Sequence, residues 1–167
     1  MIDGYNVLRS GDYYDELRDV APDYADEAFN AARDALINDV AVFAGHEYDA
    51  VVVFDGAGNI YSDGRPTRVG GVEVVFSSAG VTADSVIEER AKQAQSKGIE
   101  VLVVTSDAAT QWTVYGRSVN RMSAAGFYEE LRSIAAASAS EAAIAHKYTL
   151  GDRLPPDVLK RLRERFG

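Results

Sequence analysis

A chain of 167 residues with 47% hydrophobic and 26% charged residues has the make-up of one globular domain large enough to bury a core. It lacks cysteine, which excludes disulfides and thiolate chemistry, and His46 and His146 are too few for a histidine-based zinc centre. The net charge of −9 argues against a broad polyanion-binding face, although residues 12–34 hold eight acids and two bases, a net −6 that leaves −3 for the remainder.

The elements follow in chain order. Met1-Ile2 is a minimal apolar start ending at Asp3. A helix is predicted over Ala25 to Ala44, with Ala28, Ala32, Leu36 and Phe43 along one side. Ala50 to Phe54 and Ile99 to Val104 are nearly continuous aliphatic runs, the pattern of parallel strands buried on both faces, and Val72 to Phe76 is a third run. Between Phe54 and Val72, the stretch from Gly56 to Gly71 is rich in Gly, Asp and Arg and reads as a substrate-contacting loop. Thr82 to Lys97 places Val86, Ile87, Ala91 and Ala94 on one stripe. An Ala-rich helix runs from Ser123 to about Lys147, and Pro155-Pro156 opens a last short helix. Alternating strands and helices predict an α/β three-layer domain, with a mostly parallel central sheet flanked by helices. The whole of 1–167 reads as a single domain with a helical tail at about 155–166. No apolar run reaches membrane-span length and no signal peptide is evident, so no membrane partner and a cytoplasmic location are expected.

Three aspartates stand directly after apolar runs: Asp3, Asp55 and Asp107. In a parallel sheet, groups just beyond the carboxyl ends of the strands face one crevice, the usual ligand site. Asp84 opens the helix after the Val72–Phe76 run, and Glu88 lies one turn on, on the same helical face. Carboxylates sharing a crevice repel one another, and a divalent cation removes that conflict. Hard oxygen donors without His or Cys point to Mg²⁺ or Mn²⁺, and phosphodiester hydrolysis uses what such an ion supplies. Singly, each acid also reads as a turn or helix-cap residue. Glu88 reads first as a solvated helix residue and second as a metal ligand. The joint placement of the four aspartates favours a site.

Around them, Asn6 is a candidate to orient a water or a ligating carboxylate. Thr105, Ser106, Arg65, Arg68, Arg117 and Arg121 are candidate RNA phosphate contacts. Tyr5 reads either as a base-stacking residue or as a core aromatic.

The segments Asp3-Gly4-Tyr5-Asn6-Val7, Val53-Phe54-Asp55, Thr82-Ala83-Asp84-Ser85 and Thr105-Ser106-Asp107, in that order, resemble the NYN domain, a branch of the PIN-like nucleases. The YacP-like bacterial group is the nearer match. Its similarity continues through Gly116-Arg117-Ser118-Val119-Asn120-Arg121-Met122-Ser123 and Leu150-Gly151-Asp152-Arg153-Leu154, so it spans essentially the whole chain. The resemblance implies a PIN-like sheet with the first strand central, a Mg²⁺-type site and endoribonuclease activity. It implies Asp3, Asp84 and Asp107 as metal-binding acids, Asn6 as their support, and Asp55 as a further acid of slightly lower rank. Single-stranded RNA, specifically mRNA and with the ribosome as its setting, is the substrate this group's link to mRNA decay suggests. Two departures stand out. Only Met1-Ile2 occupy the place of a full apolar strand, so either the start is trimmed or the central strand is short, and residues 12–34 are unusually acidic.

Two other readings compete. A phosphoacceptor receiver domain would use Asp55 and Thr105, but it needs a second acid after the first strand and a lysine after the last. A non-catalytic RNA- or ribosome-binding module would keep the fold without needing the acids.

Overall fold

The computed structural model describes residues 1–19, 25–56, 63–106 and 119–147. Its centre is a six-stranded sheet made of β1 (Ile2–Asp3), β2 (Val51–Phe54), β3 (Thr67–Val69), β4 (Val72–Phe76), β5 (Val101–Val104) and β6 (Val119–Met122). The strand order is β3-β4-β2-β1-β5-β6, and every pair is parallel except β3 with β4. The mixed α/β fold with a mostly parallel sheet is therefore as the sequence predicts, and the shortest strand lies in the middle. Ile2 pairs with Val52 on one side and Val104 on the other. Two strands are not legible in the sequence as such. β3 is a short edge strand within the Gly56–Gly71 stretch, all of it exposed, and β6 has no apolar run of its own. Edge strands need to bury neither face, so their composition carries little signal.

Helices α1 (Gly4–Arg9), α2 (Asp15–Asp19), α3 (Ala25–Ala44), α4 (Ala83–Ser96) and α5 (Ala124–Lys147) complete the described fold. Strand alternation decides which helix meets which side chain. Ile2, Val52, Phe54, Val74 and Val104 join Val7, Leu8, Leu36, Val40, Phe127 and Leu131 in a core against α1, α3 and the start of α5. Val53, Val101 and Val103 turn the other way, onto Ala83, Ile87 and Ala91 of α4. These are the three layers. The chain forms two compact units, 1–131 and 132–167, and the described part of the second is the continuation of α5 to Lys147. The expected tail at about 155–166 lies outside the described residues.

One half-buried polar pair on the α3 side has a pH signature. Tyr14 is fully buried and donates its hydroxyl to Asp39 Oδ2 at 2.8 Å. Desolvation raises the Asp39 carboxyl above its ordinary 3.8, against the lowering effect of that hydrogen bond. A carboxyl whose folded pKa is raised contributes stability below its unfolded pKa and loses it as pH rises through the folded one. Asp39→Asn keeps an acceptor for Tyr14, so this variant should gain stability relative to the parent as pH rises from 3.8 toward neutrality. Thermal melts across that range check it, and parallel curves would show Asp39 to be uninvolved.

Candidate active site

β1 is the strand about which the sheet order reverses: β2 and β4 continue on one side of it, β5 and β6 on the other. In open α/β sheets the crevice at such a reversal, beyond the carboxyl ends, is where ligands bind. Asp3 ends β1 at this point and pairs across with Val53, two residues before Asp55. On the other side, Thr105 and Ser106 directly follow β5. Asp3 alternates with Ile2 and so shares the face on which Met1, Val53 and Val103 pack against α4. The first turn of α4 carries Asp84. Strand ends and helix start thus bring Asp3, Asp55 and Asp84 to one edge of the sheet.

Local hydrogen bonding explains why these segments turn where they do. Asp3 is buried, 8% exposed, and is the N-cap of α1: its Oδ1 accepts the Asn6 N–H at 3.1 Å. Asn6 Oδ1 accepts the Ser106 N–H at 2.6 Å, tying α1 to the segment after β5. Thr82 caps α4 by accepting the Ser85 N–H at 3.2 Å, which leaves Asp84 in the first turn, where a negative charge suits the helix dipole. One Asp84 oxygen, Oδ1, is shielded from solvent.

Sequence reasoning passes over Ser77, which is fully buried at the end of β4. Its N–H donates to the Phe54 carbonyl at 2.9 Å and its Oγ accepts the Gly56 N–H at 2.9 Å, so it clasps Asp55 from both sides. The available signal is a polar residue directly after an apolar run, the same criterion that picks out the aspartates.

The remaining candidates separate. Glu88 lies on the same helix as Asp84 and is ion-paired with Lys92 at 2.6 Å. Thr105 is buried and donates its N–H to the Met122 carbonyl at 3.1 Å. Tyr5 is partly buried, edge-on to Phe54 at 5.1 Å between ring centres, and accepts a hydrogen bond from Arg33 Nη1 at 2.7 Å. Arg65 is exposed and pairs with Asp63 at 3.2 Å, and Arg68 is exposed on β3. Arg121 is exposed on β6 at the opposite edge of the sheet. Five strand spacings of about 4.8 Å put these edges roughly 24 Å apart. Arg68 and Arg121 therefore cannot grip the same phosphate. Asp107 and Arg117 lie outside the described residues.

Among the described residues no three acids or histidines already form a metal-holding cluster. The donor groups placed along this edge are carboxylates, one of their oxygens shielded from solvent, and oxygen donors of that kind suit a hard divalent cation.

The YacP-like NYN domain model matches residues 1–166. The uncharacterized protein YacP of Bacillus subtilis (strain 168) is 28% identical over 134 residues, covering 80% of this chain and 75% of that one. Among solved structures, a single-site mutant of Rae1 (YacP) from Bacillus subtilis superposes with a TM-score of 0.67 at 26% identity, covering 89% of this chain and 82% of that one. Another crystal structure of Rae1 (YacP) gives a TM-score of 0.59 at 26% identity, with coverage of 98% and 91%.

Proposed function

The chain belongs to the YacP-like NYN domain family of PIN-like nucleases, and on that premise we propose that it is a metal-dependent endoribonuclease acting on single-stranded RNA. The observation that supports this reading is the placement of Asp3 and Asp55 after adjacent strands, and of Asp84 in the first turn of α4, along the edge of the sheet where the strand order reverses. Asp3, Asp84 and Asp107 are the proposed ligands of Mg²⁺ or Mn²⁺, with Glu88 and Asp55 next in rank. A bound divalent cation would polarise the phosphate and lower the pKa of a water for attack on phosphorus.

The chain's own residues do the positioning. Asn6 holds the Ser106 backbone at 2.6 Å and so keeps the end of β5 in register with Asp3. Ser77 holds the turn at Asp55. Thr105 is fully buried and can only support the segment after β5. Ser106 and Arg121 would meet the RNA on the β5–β6 side, Arg65 and Arg68 on the β3 side, and Arg117 is kept as a further proposed phosphate contact. An edge about 24 Å wide suits a strand of several nucleotides lying across it. Messenger RNA, met on the ribosome, is the finer form of the proposal, and a cytoplasmic setting goes with it.

The purified protein is expected to cut an unstructured RNA internally with Mn²⁺ or Mg²⁺ and to fall to background in EDTA. Gel analysis of a labelled oligonucleotide checks this. Cleavage that EDTA leaves untouched would overturn the metal mechanism.

A further inference from the structure

On the opposite side of the sheet edge from α4, two arginines are held by rings and neutral groups. The Arg33 guanidinium lies 5.5 Å above the Phe76 ring, donates from Nη1 to the Tyr5 hydroxyl at 2.7 Å, and donates from Nη2 to Asn30 Oδ1. Arg9 lies 5.4 Å from the centre of the Tyr5 ring. Beneath them Phe54 stacks on Phe76 at 5.3 Å. Among the described residues, neither arginine forms an ion pair with a carboxylate, in a chain where acids outnumber bases 26 to 17. Phe76 remains 37% exposed, so the platform faces solvent.

Elsewhere in the described structure, several exposed or half-exposed basic groups find acids: Arg65 with Asp63, Arg90 with Glu73, Lys92 with Glu88. Cation–π contacts fix the plane of a guanidinium without neutralising it. Arginine has more N–H donors than Tyr5 and Asn30 occupy, in a fork that matches phosphate oxygens. The platform also adjoins the acids. Tyr5 lies two residues after Asp3, and Phe54 immediately precedes Asp55.

We infer that Arg33 and Arg9, mounted on Tyr5 and Phe76, bind the phosphodiester backbone of single-stranded RNA where it runs past the acids on the β2–β4 side. This rests on the endoribonuclease reading above and extends it with a substrate subsite. Rings and guanidinium planes side by side are the means by which proteins track single strands independently of sequence. Their local positive charge also offsets a net charge of −9 that would otherwise repel the strand.

The test is fluorescence anisotropy of a labelled single-stranded RNA in EDTA as a function of salt, together with cleavage kinetics in Mn²⁺. Arg33→Gln should weaken binding by at least about fivefold and reduce the log–log salt slope by about 0.7, the share of a single phosphate neutralised on a single strand. In cleavage, KM should rise while kcat changes little. Arg9→Gln, at an exposed position, should act in the same direction and guards against misfolding at Arg33. Arg33→Lys should restore the salt slope, because charge returns without the planar fork. Arg90→Gln, whose partner is Glu73, should leave binding unchanged. If the wild type binds RNA and both glutamine variants bind equally well with the same slope, the subsite is wrong and the nuclease reading stands. If RNA binding depends on Arg33 but no cleavage occurs, the subsite stands and the nuclease reading fails. No RNA binding by the wild type overturns the subsite.

Discussion

Exchange of Asp84 for Asn is expected to lower RNA cleavage by roughly 10²–10³-fold, equivalent to about 3–4 kcal/mol of transition-state stabilisation, the loss expected on removing a carboxylate proposed to hold the metal. The fold should survive. Asp84 sits in the first turn of α4, where its charge contributes only about 0.3–1 kcal/mol through the helix dipole, and the Thr82 cap is untouched. Asp3 allows the same separation by a different route, because it has two tasks. It caps α1 and it contributes a carboxylate to the proposed site. Asn is as good an N-cap as Asp, so Asp3→Asn should keep the melting temperature and lose cleavage. Asp3→Ala should lose cleavage and about 1 kcal/mol of stability as well. The combined measurement is single-turnover cleavage beside thermal unfolding. Cleavage at wild-type rates in both Asn variants would remove these acids from the mechanism.

The second large effect is steric. A Cβ built on Gly4 would lie only 2.3 Å from Phe54 Cε1 and 2.4 Å from Cδ1, and Phe54 is fully buried and packs against both Tyr5 and Phe76. At that separation either the ring or α1 must shift. Overpacking of this kind costs about 1–3 kcal/mol. Gly4→Ala should therefore lower the melting temperature by roughly 2–4 °C for each kcal/mol. It should also reduce cleavage, because any shift of α1 moves Asp3 and the Asn6–Ser106 bond together. Gly126→Ala is the contrast. This glycine lies in α5, and its nearest neighbours, Met122 Cγ and Ser123 Oγ, are 3.4 Å from the added carbon. There, better helix propensity should offset the tight approach, for little net change. Equal losses at the two positions would mean that the Phe54 ring is not the cause.

Periodicity and punctuation make much of this protein legible. The Ala25–Ala44 helix, the Thr82–Lys97 segment and the three longer strands follow from apolar spacing, since each must bury a face. The Asp-after-strand pattern locates Asp3 and Asp55, and the Thr-Ala-Asp-Ser start locates Asp84, because strand ends and helix starts are where a parallel sheet exposes polar groups. Sequence by itself therefore determined the fold class, the family and the identity of the candidate acids.

Only the tertiary structure decided how these parts meet. The two-residue β1 is central because β2 and β5 hydrogen-bond to both its sides, a non-local pairing that so short a segment cannot signal alone. β3 and β6 exist because neighbouring strands offer them backbone partners rather than through apolar content of their own. Ser77 clasps the Asp55 turn only because β4 ends beside β2. Arg33, in the most acidic stretch of the chain, reads in one dimension as one base among many acids. Packing of α3 against α1 and β4 places it between Tyr5 and Phe76, where its neighbours are rings and its charge is not neutralised.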